Sequence, residues 1–189
     1  IALPIAFGIG VLADRILLTV YGAPFLPSAI PLAILAAAIP FTFVNFPAGY
    51  LLNAIDRQAT NTRLIAIATA GSIALNLVLI PRGGAVGAAV AALAATALLT
   101  VMNLVAVHRA IPYRLHALVH PLMRILLACL AMSAMLLTAS ALPLGALIAL
   151  GIATWFTVAF CVGAVRPADL VLARSVFHRR APVAPPAVT

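Results

Sequence analysis

Asp14 and Arg15 are adjacent residues of opposite charge inside the first long apolar run of the chain. Ionisable side chains within an apolar helix are costly, so they normally face the interior of a bundle or a watery cavity. In one interpretation, the planar guanidinium of Arg15 binds a phosphate or pyrophosphate group, while Asp14 positions it or exchanges a proton. In the other, both residues lie near the outer interface of a membrane, where Arg15 extends toward water and Asp14 balances its charge.

Asparagines form a second set of candidate polar groups. Asn45 and Asn53 are eight residues apart, near one face of a predicted helix, and Asn76 and Asn103 lie on the next two predicted helices. Asparagines in apolar helices either line a polar cavity or form hydrogen bonds between helices, and both interpretations stay open here. The candidate substrate-binding residues are therefore Arg15, Asp14, Asn45 and Asn53.

Residues typical of catalysis or metal binding are scarce. The chain has no Lys, no HExxH or GxSxG motif and no pair of acids, so we predict no catalytic residue and no enzyme. His116 and His120 are four residues apart, but no Asp, Glu or Cys lies near them to complete a metal site. The GxGxxA pattern at residues 8–13 lies inside an apolar run, not after a strand, so we expect no dinucleotide there and no cofactor.

Composition indicates that most of the surface of this protein faces lipid. Of the 189 residues, 66% are hydrophobic and 7% are charged, whereas soluble domains have about 25% charged residues. So few ionisable groups cannot cover a globule of this size with solvated side chains. The formal charge of +8 comes from arginines that do not cluster on one exposed face, so nucleic acid is not expected as a partner.

Breaks at Gly, Pro and Arg divide the chain into six apolar runs, each close to the roughly 20 residues needed to cross a membrane. We therefore predict an all-α, polytopic transmembrane bundle of about six spans within residues 1–165. The predicted helices cover approximately residues 1–20, 28–54, 63–80, 84–107, 122–141 and 144–165. Residues 166–189 are predicted to be a cytoplasmic, partly disordered tail because they end in a proline-rich stretch. The apolar run begins at the first residue, so we expect an N-terminal part to be missing.

Arginines mark one side of the predicted bundle. In alternate loops, one set contains nine arginines and the other contains only Arg82. By the positive-inside rule, the arginine-rich loops and the C-terminal tail are cytoplasmic. The stretch "PRGG" at residues 81–84 is then a short hairpin at the outer surface, where Pro81, Gly83 and Gly84 end one helix and begin the next.

Three motifs, in order, carry a resemblance to a known family. A proline-containing helix ends in a Gly-x-x-Phe loop, a second helix ends in Leu-Asn-Ala-x-x-Arg, and "NLVLIPRGGAVGAAVAA" follows. They resemble the C-terminal half of the polysaccharide (oligosaccharide) flippase family, within the multidrug/oligosaccharidyl-lipid/polysaccharide exporter superfamily. The resemblance covers roughly residues 3–110 by motif and the last two helices by hydropathy alone. The matching residues are Tyr21, Gly22, Phe25, Leu52, Asn53, Ala54, Arg57, Asn76, Leu79, Ile80, Pro81, Gly84, Gly87, Ala88 and Ala89.

This resemblance implies a two-lobed helical bundle in the bacterial cytoplasmic (inner) membrane. Such a bundle moves an undecaprenyl-pyrophosphate-linked oligosaccharide to the outer leaflet by alternating access, and its partners are that lipid-linked oligosaccharide, membrane lipids and polysaccharide polymerases or glycosyltransferases. Arg15 departs from the family pattern, in which a small, apolar or proline residue follows the acid. Two alternatives remain: a multidrug or cation antiporter of the same superfamily, and a non-catalytic membrane subunit of a polysaccharide synthesis complex.

Overall fold

The fold is helical throughout the part of the chain that the structure describes. A computed structural model describes residues 2–111, 116–139 and 142–163, and no strand occurs among them, which confirms the predicted all-α class. The predicted tail, residues 166–189, lies outside the described residues. In chain order the helices are α1 (Ala2–Val20), a 3-10 helix (Ala23–Ser28), α2 (Ala29–Ala54), α3 (Gln58–Ala110), α4 (His116–Thr138) and α5 (Leu144–Cys161).

The number of spans differs from the predicted six. By length and composition, four segments of the described chain could cross a membrane, and the apolar part of α4 is shorter. The predicted helices 63–80 and 84–107 both fall within the single element α3, so a count of six is not confirmed. The four segments are Ala2–Val20, Ala23–Ala54, Gln58–Ala110 and Leu144–Cys161.

Helix α4 begins six residues before the predicted start at residue 122. The predicted start follows Pro121, which lacks the backbone N–H of a continuous helix. The helix nevertheless begins at His116 and continues through Pro121. The other predicted helix ends agree with the observed ones to within five residues, the largest difference being at the start of α3.

Helix α3 is not straight, because it reverses at Gly84. The backbone there has φ 53° and ψ −130°, which is not helical, whereas Pro81 and Gly83 remain in helical structure. A Cβ atom built on Gly87 would overlap the carbonyl oxygen of Leu79. Residues eight apart in a straight α-helix are separated by about 12 Å along its axis, so the chain must fold back. The predicted break in "PRGG" is thus confined to one glycine.

The reversal divides α3 into a first arm, residues 58–83, and a second arm, residues 85–110. A Cβ on Gly71 in the first arm would lie 4.0 Å from the side chain of Leu98 in the second. Nearer the ends of the arms, Leu64 packs with Val107 in the cluster that also contains buried Leu52 of α2. The two arms therefore run antiparallel to each other and both contact α2.

Helix α1 joins the α2–α3 unit to the remaining two helices. On one side, buried Ala13 and Leu17 pack against Ala29 at the start of α2. On the other side, Leu12 shares a core with Met132, Leu136 and Leu147 of α4 and α5. Small residues permit this approach: a Cβ on Gly151 would stand 3.4 Å from Leu136. Close packing at small residues is typical of helices that associate within lipid.

Large apolar side chains cover much of the outer surface. Leu77 is 72% exposed, Ile30 63% and Ile73 58%. A soluble monomer rarely exposes large apolar side chains in such number. Several long apolar helices with such a surface are compatible with a membrane protein.

Four arginines of the described chain lie at one end of the bundle. Arg57 and Arg63 flank the connection between α2 and α3, and Arg109 ends the second arm beside the Leu52–Val107 cluster. The fourth is Arg124 of α4, which lies near the C-terminal end of α5. Its Nη1 donates a hydrogen bond to the carbonyl oxygen of Gly163 at 3.3 Å. Arg82 stands at the opposite end, beside the reversal.

Candidate functional site

A mostly apolar cavity with six polar lining residues lies between α2 and the two arms of α3. Its volume is about 380 Å³, within the range of about 300 to 1,000 Å³ that is usual for small-molecule sites. Its walls combine apolar side chains with hydroxyl and amide groups, and none of the described residues that line it carries a charge. The polar lining residues are Thr42, Asn45, Tyr50, Asn61, Thr96 and Asn103.

Helical periodicity explains why these residues meet. Thr42 and Asn45 are three residues apart on α2, and Thr96 and Asn103 are seven residues apart on the second arm. Residues at i, i+3 and i+7 share one face of an α-helix. Because α2 packs against both arms, its polar face meets that of the second arm. Asn61 of the first arm completes the lining.

Hydrogen bonds join the two polar faces across the helix interface. Asn103 Nδ2 donates to Asn45 Oδ1 at 3.1 Å, and Asn45 Nδ2 donates to the carbonyl oxygen of Thr96 at 3.4 Å. The hydroxyl of Thr100 lies 2.8 Å from the carbonyl oxygen of Thr96 on its own helix and 3.3 Å from that of Phe41 on α2, and its one proton can be donated to either. Of the two interpretations of Asn45 and Asn103, cavity lining and interhelical bonding, the structure supports both at once.

Asn103 retains one acceptor that the surrounding chain does not use. The residue is 2% exposed, and its Oδ1 is buried without a hydrogen-bond partner among the described residues. A buried, unsatisfied acceptor costs about 1–3 kcal/mol. Although Asn103 lines the cavity, this oxygen is itself buried, so a donor group in the cavity reaches it only if neighbouring side chains move.

The other two asparagines have different positions. Asn53 is exposed and lies outside the cavity lining, but its Oδ1 accepts a hydrogen bond from Asn61 Nδ2 at 3.1 Å. Asn53 therefore acts on the cavity only indirectly, through its hydrogen bond to Asn61, which lines the cavity. Asn76 Nδ2 donates at 2.8 Å to the carbonyl oxygen of Ser72 on its own helix, so it makes no bond between helices.

Asp14 and Arg15 lie apart from this cavity. Both are exposed on α1, next to the buried residues Leu12 and Ala13 that face the bundle core. Neither is among the residues that line the α2–α3 cavity. The structure thus separates the candidate site into a charged pair on α1 and an amide cluster between α2 and α3, and the binding role of the charged pair stays a prediction.

A second cavity, between α1, α4 and α5, is almost entirely apolar. Its volume is about 510 Å³, and its lining includes Gly8, Met132, Leu136 and Trp155. This site escapes sequence reasoning because its residues look like any other apolar helix face. The polar residues of the α2–α3 cavity, by contrast, have a signal in the sequence, namely Thr and Asn at helical spacing in otherwise apolar runs.

Comparisons with protein-family models, with curated proteins and with solved structures found no match for the chain. The resemblance to the flippase family therefore rests on the three motifs in the sequence alone.

Proposed function

We propose that this chain forms one lobe of a membrane transporter that moves a lipid-linked oligosaccharide, carried on undecaprenyl pyrophosphate, across the cytoplasmic membrane. The observation that carries the proposal is a cavity lined in part by amide and hydroxyl residues, inside a bundle whose outer surface is apolar. Polar cavities within membrane bundles are typical of substrate pathways. The order of the three flippase-like motifs supports the choice of cargo.

Six membrane crossings are part of this proposal. Each arm of α3 has 26 residues, which corresponds to about 39 Å of helix. This length exceeds the roughly 30 Å of a hydrocarbon core. Counting the two arms separately, and α4 as a full crossing, adds two spans to the four that length and composition identify. The reversal at Gly84 then lies at one membrane surface.

The orientation of the bundle in the membrane is the second part of this proposal. The positive-inside rule places the end that holds Arg57, Arg63 and Arg109 in the cytoplasm, and the reversal beside Arg82 outside. A cysteine at position 82 is then reachable from outside the cell.

We expect an Arg82→Cys variant, in a background without other cysteines, to react fully with a membrane-impermeant thiol reagent in intact cells. Thr62→Cys, at the opposite end of the first arm, is the matched control and should react only after permeabilisation. The measurement is the labelled fraction with and without permeabilisation. The opposite pattern would invert the topology and remove the basis for a cytoplasmic C-terminus.

Arg15 supplies a group that suits the pyrophosphate of the cargo. A guanidinium forms two parallel hydrogen bonds to phosphate oxygens, a geometry that an ammonium cannot reproduce. In the alternative, Arg15 only extends toward the membrane surface. Transport measurements separate these alternatives because only the first involves the cargo.

The transport test uses the full-length protein, reconstituted in vesicles with a fluorescent, short-chain polyprenyl-pyrophosphate oligosaccharide whose outer-leaflet fraction is followed by chemical quenching. Wild-type protein should accelerate its movement between leaflets. Arg15→Ala should lower that rate by about tenfold or more, because the loss of even one of the two charge-assisted bonds costs about 1.5 kcal/mol, and Arg15→Lys should lower it less. No acceleration by wild-type protein would reject the proposed function, whereas an unaltered rate for Arg15→Ala would reject only the role of Arg15.

A further inference from the structure

We propose that the α2–α3 cavity binds an uncharged, hydroxyl-bearing group, namely a sugar ring of the cargo, and that it does not bind the pyrophosphate. This assignment rests on the proposed function and adds that different parts of the chain bind different parts of the cargo. The neutral saccharide occupies the amide-lined cavity, away from the charged pair on α1.

None of the cavity-lining residues in the described part of the chain carries a charge, which argues against an anionic ligand. Each polar group in the cavity wall is an amide, an aliphatic hydroxyl or a phenol. A phosphate transferred from water into such a site would lose its hydration without gaining a cation. A neutral group avoids that loss, so the ligand of this cavity is uncharged.

The hydrogen-bonding groups match a hydroxyl-rich ligand. Thr42 lines the cavity, and its hydroxyl oxygen can accept a hydrogen bond from a sugar hydroxyl. The Asn61 amide and the Tyr50 phenol also line the cavity and can both donate and accept. A lipid tail would leave these groups without partners and fits the apolar cavity between α1, α4 and α5 better.

Aromatic residues supply the remaining wall. Phe46 and Tyr50 are four residues apart on α2, so their rings lie on one helix face, and both line the cavity. The C–H faces of a sugar ring are apolar and pack against aromatic rings, while its hydroxyls point to the amides. Mixed walls of this kind, mostly apolar with a few polar groups, are usual in small-molecule sites.

The test measures protection of a cysteine placed in the cavity wall. Thr42 is suitable because its hydroxyl only bonds back to the carbonyl oxygen of Ala38 on its own helix, at 3.1 Å, so Thr42→Cys removes no contact between helices. The variant is made in the full-length protein without other cysteines, and its reaction rate with a small, water-soluble thiol reagent is recorded. Thr62→Cys, exposed outside the cavity, is the control.

Two probes are compared: oligosaccharide released by mild acid from the lipid-linked fraction of the source cells, and undecaprenyl pyrophosphate without sugar. We expect the oligosaccharide to slow the reaction of Thr42→Cys at least tenfold, and the sugar-free lipid to leave it unchanged. Neither probe should alter the reaction of Thr62→Cys. Protection by the sugar-free lipid, or no protection by the oligosaccharide, would overturn the assignment of this cavity.

The same protein preparation distinguishes this inference from the proposed function. If vesicles show transport of the lipid-linked oligosaccharide but the oligosaccharide does not protect Thr42→Cys, the function stands and the site is wrong. If protection is seen without transport, the cavity binds the saccharide and the proposed flipping activity is wrong.

Discussion

Gly87→Ala is expected to prevent this protein from folding to its native bundle. The Cβ atom of an alanine at this position would overlap the carbonyl oxygen of Leu79, which belongs to the backbone and cannot move as a side chain does. The two arms of α3 would have to separate, which would open the contacts between them and with α2. We expect the free energy of unfolding to fall by more than about 4 kcal/mol, which is the range of the most destabilising single substitutions.

Gly83→Ala is the matched control for this effect. Gly83 lies in the same helix, four residues earlier, and no atom lies within 4 Å of a Cβ built on it. Alanine in a helix is favoured over glycine by about 0.5–1 kcal/mol, so this variant should be as stable as the wild type or slightly more so.

The measurement is the amount of monodisperse protein in detergent and its midpoint of thermal unfolding. For a chain of this size, 4 kcal/mol corresponds to a fall of about 10 °C or more. If Gly87→Ala and Gly83→Ala behave alike, the arms do not meet at Leu79, and the reversal of α3 would be refuted.

Asn103→Asp is expected to have the second largest effect. The change removes the Nδ2 donor that bonds to Asn45 Oδ1 and places a carboxylate oxygen against that amide oxygen. Asn103 is 2% exposed, and no cationic side chain lines its cavity. A buried charge without a partner costs several kcal/mol, so we expect a loss of about 3 kcal/mol or more.

Asn53→Asp tests the same chemical change in a different setting. Asn53 is exposed, and it acts as the acceptor toward Asn61, a role that a carboxylate retains. The free energy of unfolding of Asn53→Asp should stay within about 0.5 kcal/mol of the wild-type value, as is usual for surface substitutions. Thermal unfolding of both variants in the same detergent provides the comparison. Equal stability would mean that Asn103 is not buried between α2 and α3 as described.

Part of the candidate site follows from the sequence. An asparagine or threonine in an apolar run is visible without a structure, so Asn45 and Asn103 were identifiable as polar groups within helices. The sequence does not show which of these polar residues contact each other, because Asn45 and Asn103, which form a hydrogen bond, are 58 residues apart. Asn76 illustrates the difference, since the same residue type in a similar run bonds only to its own helix.

By itself, the sequence determined the helical class, the apolar surface and the break near Gly84. Each of these depends on properties that are local along the chain: hydropathy over some 20 residues, and the freedom of glycine to adopt a positive φ. The tertiary structure alone decided that the charged pair on α1 lies apart from the amide cluster and that Gly87 contacts Leu79. Such contacts depend on the rotation of each helix about its axis and on its neighbours, and an almost uniformly apolar helix carries little pattern from which that rotation can be predicted.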